Sequence, residues 1–591
     1  MPLTRDWVAR ATRRTIGAIV VAALPVACGG SGPTLSEDTP PSEQATATAT
    51  PRQPLPRARE TGPGAYLAGR HAQQQRDFGS AAEFYGRALS EDPNNVELLR
   101  RSYALLAAEG DIDTAVGMVH RLLALKEDSP VAAVVLSVKE ARADNFAKVE
   151  KLLEAVPRHG LNSFIIPLMT AWAQVGQGRI DAALQTVGTL ARTDHLAALY
   201  HFHSGLINDL ADRREAAAEQ YQATVDEDGG LSLRAVQVVG SFHLRHGNPE
   251  KARALYDRYQ REHPETVLLD GLLKGLDGGQ PTPRPVASAR DGLAETLFGA
   301  ATTVREGNAI DSSLLFARLA LAVQPDFPLA QVLVGDILQS QGRYGEANKA
   351  FQNIDPNAPV YYSIQLRIAD NLKRMSESGG AIRVLEALAE KRPDRADALV
   401  DLGDVLRGEK RFTEAVAAYD KAMTRVKSVE PRHWALFYSR GIALERSQQW
   451  QKAEKDFLRA LELQPEQPYV LNYLGYSWLE QKVNVDKAKA MIRRAVEQRP
   501  EDGYIVDSLG WALYQTGDYE GSVREIERAV ELQPDDSVIN DHLGDAYWRV
   551  GRRNEARFQW NRALSLNPEA DTIAPIRAKL DRGLDAAAAG K

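Results

Sequence analysis

Apolar residues in this chain do not alternate as they would along strands. They recur at the three-and-four spacing of helices, and from residue 62 onward the helical segments come in pairs about every 34 residues. Residues 537–570 show the pattern best, with Leu543-Gly544, Tyr547, Gly551, Ala556, Trp560, Ala563 and Pro568. Residues 503–536 carry Leu509-Gly510, Leu513, Gly517, Ser522, Ile526, Ala529 and Pro534 in the same places, and residues 434–467 carry Gly441, Leu444, Ala453, Phe457, Ala460 and Pro465. Each place has a mechanical reason. Small residues at repeat positions 8 and 20 lie where the two helices of a pair touch, and the bulky residue at position 24 fills the space around them. Position 15 is the turn between the helices, where glycine accepts positive φ. Proline at position 32 follows a second helix that it cannot continue.

The register extends upstream with looser agreement. Residues 62–95, 198–231, 233–266, 328–361, 362–395 and 396–429 fit, while 96–129, 130–163, 164–197 and 294–327 are more degenerate, for about fourteen units in all. In residues 468–502 the run Lys482-Val483-Asn484-Val485-Asp486 lengthens the turn by one residue. Gly278-Gly279-Gln280-Pro281-Thr282-Pro283-Arg284-Pro285 cannot be helical. It divides the array into an N-terminal block (62–266), a break (267–293) that serves as a hinge or only a loop, and a C-terminal block (294–570). Residues 571–591 are expected to supply a capping helix and tail, with Ile573, Ile576, Leu580 and Leu584 at helical spacing.

These positions are the signature of the tetratricopeptide repeat, so the fold expected is all-α: an α-α superhelix, or TPR solenoid. One globular core rarely grows past roughly 250–300 residues, and a repeat array answers how 591 residues, 44% of them apolar, fold together. The net charge of −7 gives no basic footprint for nucleic acid.

The first 27 residues read as an export signal. Arg5, Arg10, Arg13 and Arg14 precede an apolar run from Ile16 to Val26 that is too short to span a bilayer. Ala27 then stands before Cys28, the one cysteine of the chain. This resembles a bacterial lipobox, although Pro25 occupies the place where an aliphatic residue is usual. The resemblance implies cleavage before Cys28 and acylation of its thiol and new amino group; an ordinary cleaved signal and an uncleaved anchor are the alternatives. Gly29, rather than Asp, at the next position goes with outer-membrane sorting in lipoproteins of didermal bacteria. Residues 29–61, rich in Gly, Pro, Ser, Thr and Glu, cannot bury enough apolar surface to fold and read as a disordered tether from the lipid.

No constellation for catalysis stands out, and the expectation is a protein that is not an enzyme and needs no cofactor. His201 and His203 are two apart and point to different sides of a helix; His243 and His246 share a face, but no carboxylate or cysteine completes a ligand set, so no metal is expected. No Gly-rich phosphate loop, nucleophile elbow or His-Glu-x-x-His motif occurs. What remains is recognition. In a TPR array the first helices line a concave groove, through their positions 2, 5, 9 and 12. Near the C-terminus these are aromatic, amide or acidic: Tyr438, Asn472, Tyr476, Asp507, Trp511, Tyr514, Asp541, Asp545 and Trp548. Trp and Tyr are the residues most enriched at binding hot spots. The competing reading is that these aromatics only pack between neighbouring first helices.

The stretches Asn472-Tyr473-Leu474-Gly475-Tyr476, Asp507-Ser508-Leu509-Gly510-Trp511 and His542-Leu543-Gly544-Asp545 resemble those of large proteobacterial outer-membrane TPR lipoproteins. Those proteins are adaptors for carboxy-terminal processing proteases. The resemblance implies a lipid-anchored adaptor on the periplasmic face of the outer membrane, gathering such a protease and its cell-wall hydrolase substrates. The alternative is a structural assembly factor of a secretion, pilus or polysaccharide-export machine. Self-association into a homo-oligomer stays open.

Overall fold

In the computed structural model the apolar spacing becomes helices alone wherever the chain is described. The structure describes residues 61–584, apart from 128, 194–195, 227–230, 264–268, 270–271, 274–275, 277–282 and 359. The signal, Cys28 and nearly all of the tether expected at 28–61 therefore lie outside the described residues, as does most of the Gly/Pro run. Among the described residues there are 29 α-helices and no strands: fourteen pairs and a terminal helix, Ala570–Arg582. No described helix is long and apolar enough to cross a membrane.

The repeat positions do what their chemistry requires. The residue at position 20 has no exposed surface in any of the fourteen pairs, from Ala81 in the first to Ala556 in the last. At position 8, a Cβ added to Gly69 would meet the Tyr85 ring at 2.7 Å, one added to Gly205 would meet Tyr221 at 2.6 Å, and one added to Gly441 would meet Phe457 at 2.6 Å. Gly240, Gly335, Gly403 and Gly544 press against Tyr256, Phe351, Tyr419 and Trp560 in the same way. Position 15 has positive φ in all fourteen turns, although only six of them carry glycine: Gly110, Gly178, Gly247, Gly342, Gly517 and Gly551. The lengthened turn has two left-handed residues, Lys482 and Asn484.

Consecutive pairs stack in chain order, with one departure. The Ala289–Glu306 helix begins inside the stretch expected to be a break. With Ile310–Val323 it forms a hairpin that packs on the first helices of earlier pairs: Ala289–Glu306 on Asn162–Gly176, and Ile310–Val323 on Val96–Glu109 and Pro130–Arg142. Gly292 lies directly against the Trp172 ring. Arg234 grips Glu295 through Nε (2.9 Å) and a terminal nitrogen (2.8 Å), with Glu295 buried. Ser241 donates to the Pro283 carbonyl at 2.9 Å, Arg284 pairs with Asp212, and Arg290 pairs with Asp144. Arg343 in the following pair reaches Glu109 at 2.8 Å.

The hydrophobic core follows this packing. One cluster runs from Ala65 to Ile368, straight across the Gly/Pro break, and a second runs from Tyr362 to Leu584. They meet in the Tyr361–Arg374 helix, which gives Ile364 and Ile368 to the first and Tyr362 and Ala369 to the second. The residues flanking the break are thus tied down, and the change of core comes about eighty residues later. Leu293, Leu297, Leu314 and Leu319 of the hairpin are fully buried, and each such side chain contributes about 1.5–3 kcal/mol.

Candidate functional site

The nine groove positions lie on four successive first helices: Trp434–Arg446, Pro468–Glu480, Gly503–Gln515 and Ser537–Arg549. Each helix turns its small position-8 residue toward its partner helix, and positions 5, 9 and 12 make contacts to the neighbouring first helices and the terminal helix. Tyr438 is only 8% exposed and sits edge-on to Tyr473, with Trp434 and Phe457 beside it. Burial, reinforced by the Tyr473 phenol, pushes its hydroxyl well above the ordinary tyrosine range.

Asp507, Trp511 and Tyr514 are brought together with a residue outside the expected set, His542. The Trp511 ring stacks on Tyr514 (centroids 4.7 Å apart, planes 4° from parallel) and, on its other side, on His542 (4.0 Å, 13°). His542 Nδ1 lies 3.0 and 3.1 Å from the two oxygens of the buried Asp507 carboxylate. Burial opposes charge on this imidazole, but Asp507, with Asp541 and Asp545 nearby, outweighs it and holds His542 above its ordinary value. The Trp511 indole N–H donates to Glu480 at 2.9 Å, and Arg549 Nε donates to the Tyr514 hydroxyl at 3.2 Å.

Asp541, Asp545 and Trp548 face the terminal helix. Lys579 donates to both carboxylates at 2.8 Å, the Trp560 indole donates to Asp545 at 2.9 Å, and Gly583 abuts the Trp548 ring. Burial raises Asp545 to about 6; Lys579 pulls the other way and Asp541 adds to the rise. Lys579 is itself held above its usual value, because the two carboxylates outweigh its burial. This helix does for the last repeat what a further first helix would do.

Asn472 and Tyr476 are placed differently. Asn472 Oδ1 is buried and has no hydrogen-bond partner among the described residues. Tyr476 is half-buried on the same helix face; burial and the nearby Glu480 and Asp507 raise its hydroxyl strongly. Of the nine positions, these two have neither a side-chain hydrogen bond nor a ring contact to a neighbouring element among the described residues. His542 and Lys579 escaped the sequence reading because one sits at position 6, beside the groove register, and the other in the cap. Of the histidines singled out earlier, His203 is buried and accepts the Trp172 indole N–H at 3.0 Å, burial pushing it down to about 3. Among the described residues no group of three His, Cys, Asp or Glu could hold a metal ion.

Family profiles described as the tetratricopeptide repeat match residues 168–232, 211–266, 366–428 and 481–537, and a second such profile matches 434–467. These segments are tetratricopeptide repeats, and the protein is a repeat scaffold of the kind that presents extended concave surfaces to other proteins. A comparison with curated proteins finds no match. Among solved structures, the chain is similar to that titled "Crystal structure of APC/C hetero-tetramer Cut9-Hcn1" at 15% identity, covering 89% of this chain and 97% of that one, with a TM-score of 0.37. It is also similar to yeast Tom70 (16% identity, 90% and 96% covered, TM-score 0.33) and to YrrB, titled "a TPR protein with an unusual peptide-binding site" (19%, 33% and 97%, 0.26).

Proposed function

We propose that this protein is a non-enzymatic adaptor, held by a lipid on Cys28 to the periplasmic face of a bacterial outer membrane. Its C-terminal repeats recruit a carboxy-terminal processing protease or another cell-wall enzyme with its substrates. The observation that carries the binding surface is the pair Asn472 and Tyr476. A buried amide oxygen with no partner is costly unless something donates to it, and it stands one helical turn before the half-buried Tyr476, whose hydroxyl is near Glu480 and Asp507. The anchor and the partner class rest on the residues around Cys28 and on the resemblance of residues 468–570.

The test is a crosslinking pull-down of the intact protein from its own envelope, alongside the Asn472→Ala/Tyr476→Ala double variant. Recovery of a protease or cell-wall hydrolase by the wild type and its loss in the variant is the expected result. Recovery of a stable multi-subunit envelope machine instead supports the assembly-factor reading, and recovery of no envelope enzyme at all sinks the adaptor. Metabolic labelling with an alkyne fatty acid tests the anchor: Cys28→Ala that still takes up label refutes it.

A further inference from the structure

The first helices of the N-terminal repeats would line a groove of their own, yet that groove is filled. We infer that the hairpin Ala289–Glu306/Ile310–Val323 is its permanent occupant, which closes the N-terminal half to partners and makes residues 62–352 a single rigid body. Three observations carry this. The hairpin lies on the first helices of the second, third and fourth pairs, the faces that a partner would use. Its own surface is buried on nearly all sides, including Leu293, Leu297 and Leu314, as in a helix at the centre of a core rather than a lid resting on a surface. Its polar contacts fix the register: buried Glu295 takes Arg234, and Gly292 leaves just the room that the Trp172 ring fills.

A releasable lid has to come from the weakly held end of a structure, with few buried contacts; this hairpin is at the other end. The consequence goes beyond the adaptor reading and does not depend on the partner's identity. Whatever binds has one groove to choose, and movement between the two halves takes place around Tyr361–Arg374 rather than at the Gly/Pro break.

Hydrogen exchange on the full-length chain tests this. Amides of Ala289–Glu306 are expected to exchange within about tenfold of those of Asn162–Gly176, because both open only when the whole body opens. In Glu295→Gln the two sets are expected to lose protection together. Hairpin amides that exchange more than about tenfold faster than Asn162–Gly176 in the wild type, or that alone lose protection in the variant, would show a lid that leaves while the groove walls stay folded, and would overturn the inference. Neither result bears on whether the C-terminal groove captures a partner, so the two proposals fail separately.

Discussion

At Gly441 an alanine methyl would meet the Phe457 ring at 2.6 Å. The same sixteen-residue spacing recurs where position 8 is not glycine, and there the partner is smaller: Ser137 with Leu153, Ala171 with Val187, Ala301 with Ala317, Ala369 with Leu385, all buried. In Ser137–Leu153, Ala171–Val187 and Ala369–Leu385 a larger position-8 residue offsets a smaller partner, whereas Ala301–Ala317 is smaller than these pairs and Tyr103–Val119 larger. Gly441→Ala is therefore expected to cost about 1–3 kcal/mol by overpacking. Adding Phe457→Leu should recover part of that loss, and denaturant titration of single and double variants measures it. If the two costs simply add, the volume argument is wrong. This compensation also explains why residues 130–163 and 164–197 look degenerate in the sequence: the expected residues are absent as a pair, and the packing is kept. The turns make a second residue-scale case. Gln448 is exposed at φ 63°, where a side chain is strained. Gln448→Gly should stabilise the C-terminal body by about 0.5–1 kcal/mol, read as a higher denaturation midpoint; a lower midpoint would show that the turn does not carry that strain.

The terminal helix is held by one cation between two carboxylates. Removing Lys579 would leave Asp541 and Asp545 facing each other without their ion-pair partner, and breaking a buried pair in this way typically costs about 3–5 kcal/mol. Lys579 is partly accessible, so Lys579→Ala is expected nearer the lower end. The same change should speed exchange of the Ala570–Arg582 amides before those of Ser537–Arg549. Equal loss in both helices would mean that the cap has no separate opening.

Helix pairs and their turns were legible at this scale, because each follows from a few neighbouring residues: small at 8 and 20, left-handed at 15. The hairpin's docking was not. A Gly/Pro run announces only where a helix must stop, and nothing local tells Gly292 to meet Trp172, some 120 residues away in the sequence. The register picked out the aromatic stripe, but which members are engaged depends on His542 and Lys579, whose roles come from tertiary contact alone.

For the whole molecule, the two cores carry titrating groups of opposite sense. In the N-terminal body burial depresses His203 to about 3, and it also lowers His243 and His246. Unfolding lets these imidazoles take up protons, so that body loses stability as pH falls below about 6.5. In the C-terminal body His542 is raised, and its contribution is fully present below about 6.5 and lost as pH rises through its folded value. Asp545, raised to about 6, adds in the same direction by favouring the folded state on acidification between its unfolded value and 6. Each unmatched proton changes stability by up to about 1.4 kcal/mol per pH unit. Between pH 7 and 5 the N-terminal unfolding transition should therefore fall while the C-terminal one rises. Trp172 donates to His203 and so belongs to the titrating core, and exchange of the Asn162–Gly176 amides against those of Gly503–Gln515 reads the two transitions without substituting it. His542→Gln should remove the rise above pH 6.5, and transitions that move together would contradict the assignment.

The closed N-terminal body also has a consequence in time. A chain emerges from its N-terminus, so the six pairs that end at Glu262 appear before the hairpin that ends at Val323. Whether the chain leaves a ribosome or a membrane pore, that order opens an interval in which the pairs stand without the hairpin. During that interval the groove around Trp172 is an apolar trough waiting for its own filling. A nascent chain stalled in that window is where holding chaperones and aggregation should compete most keenly for this protein.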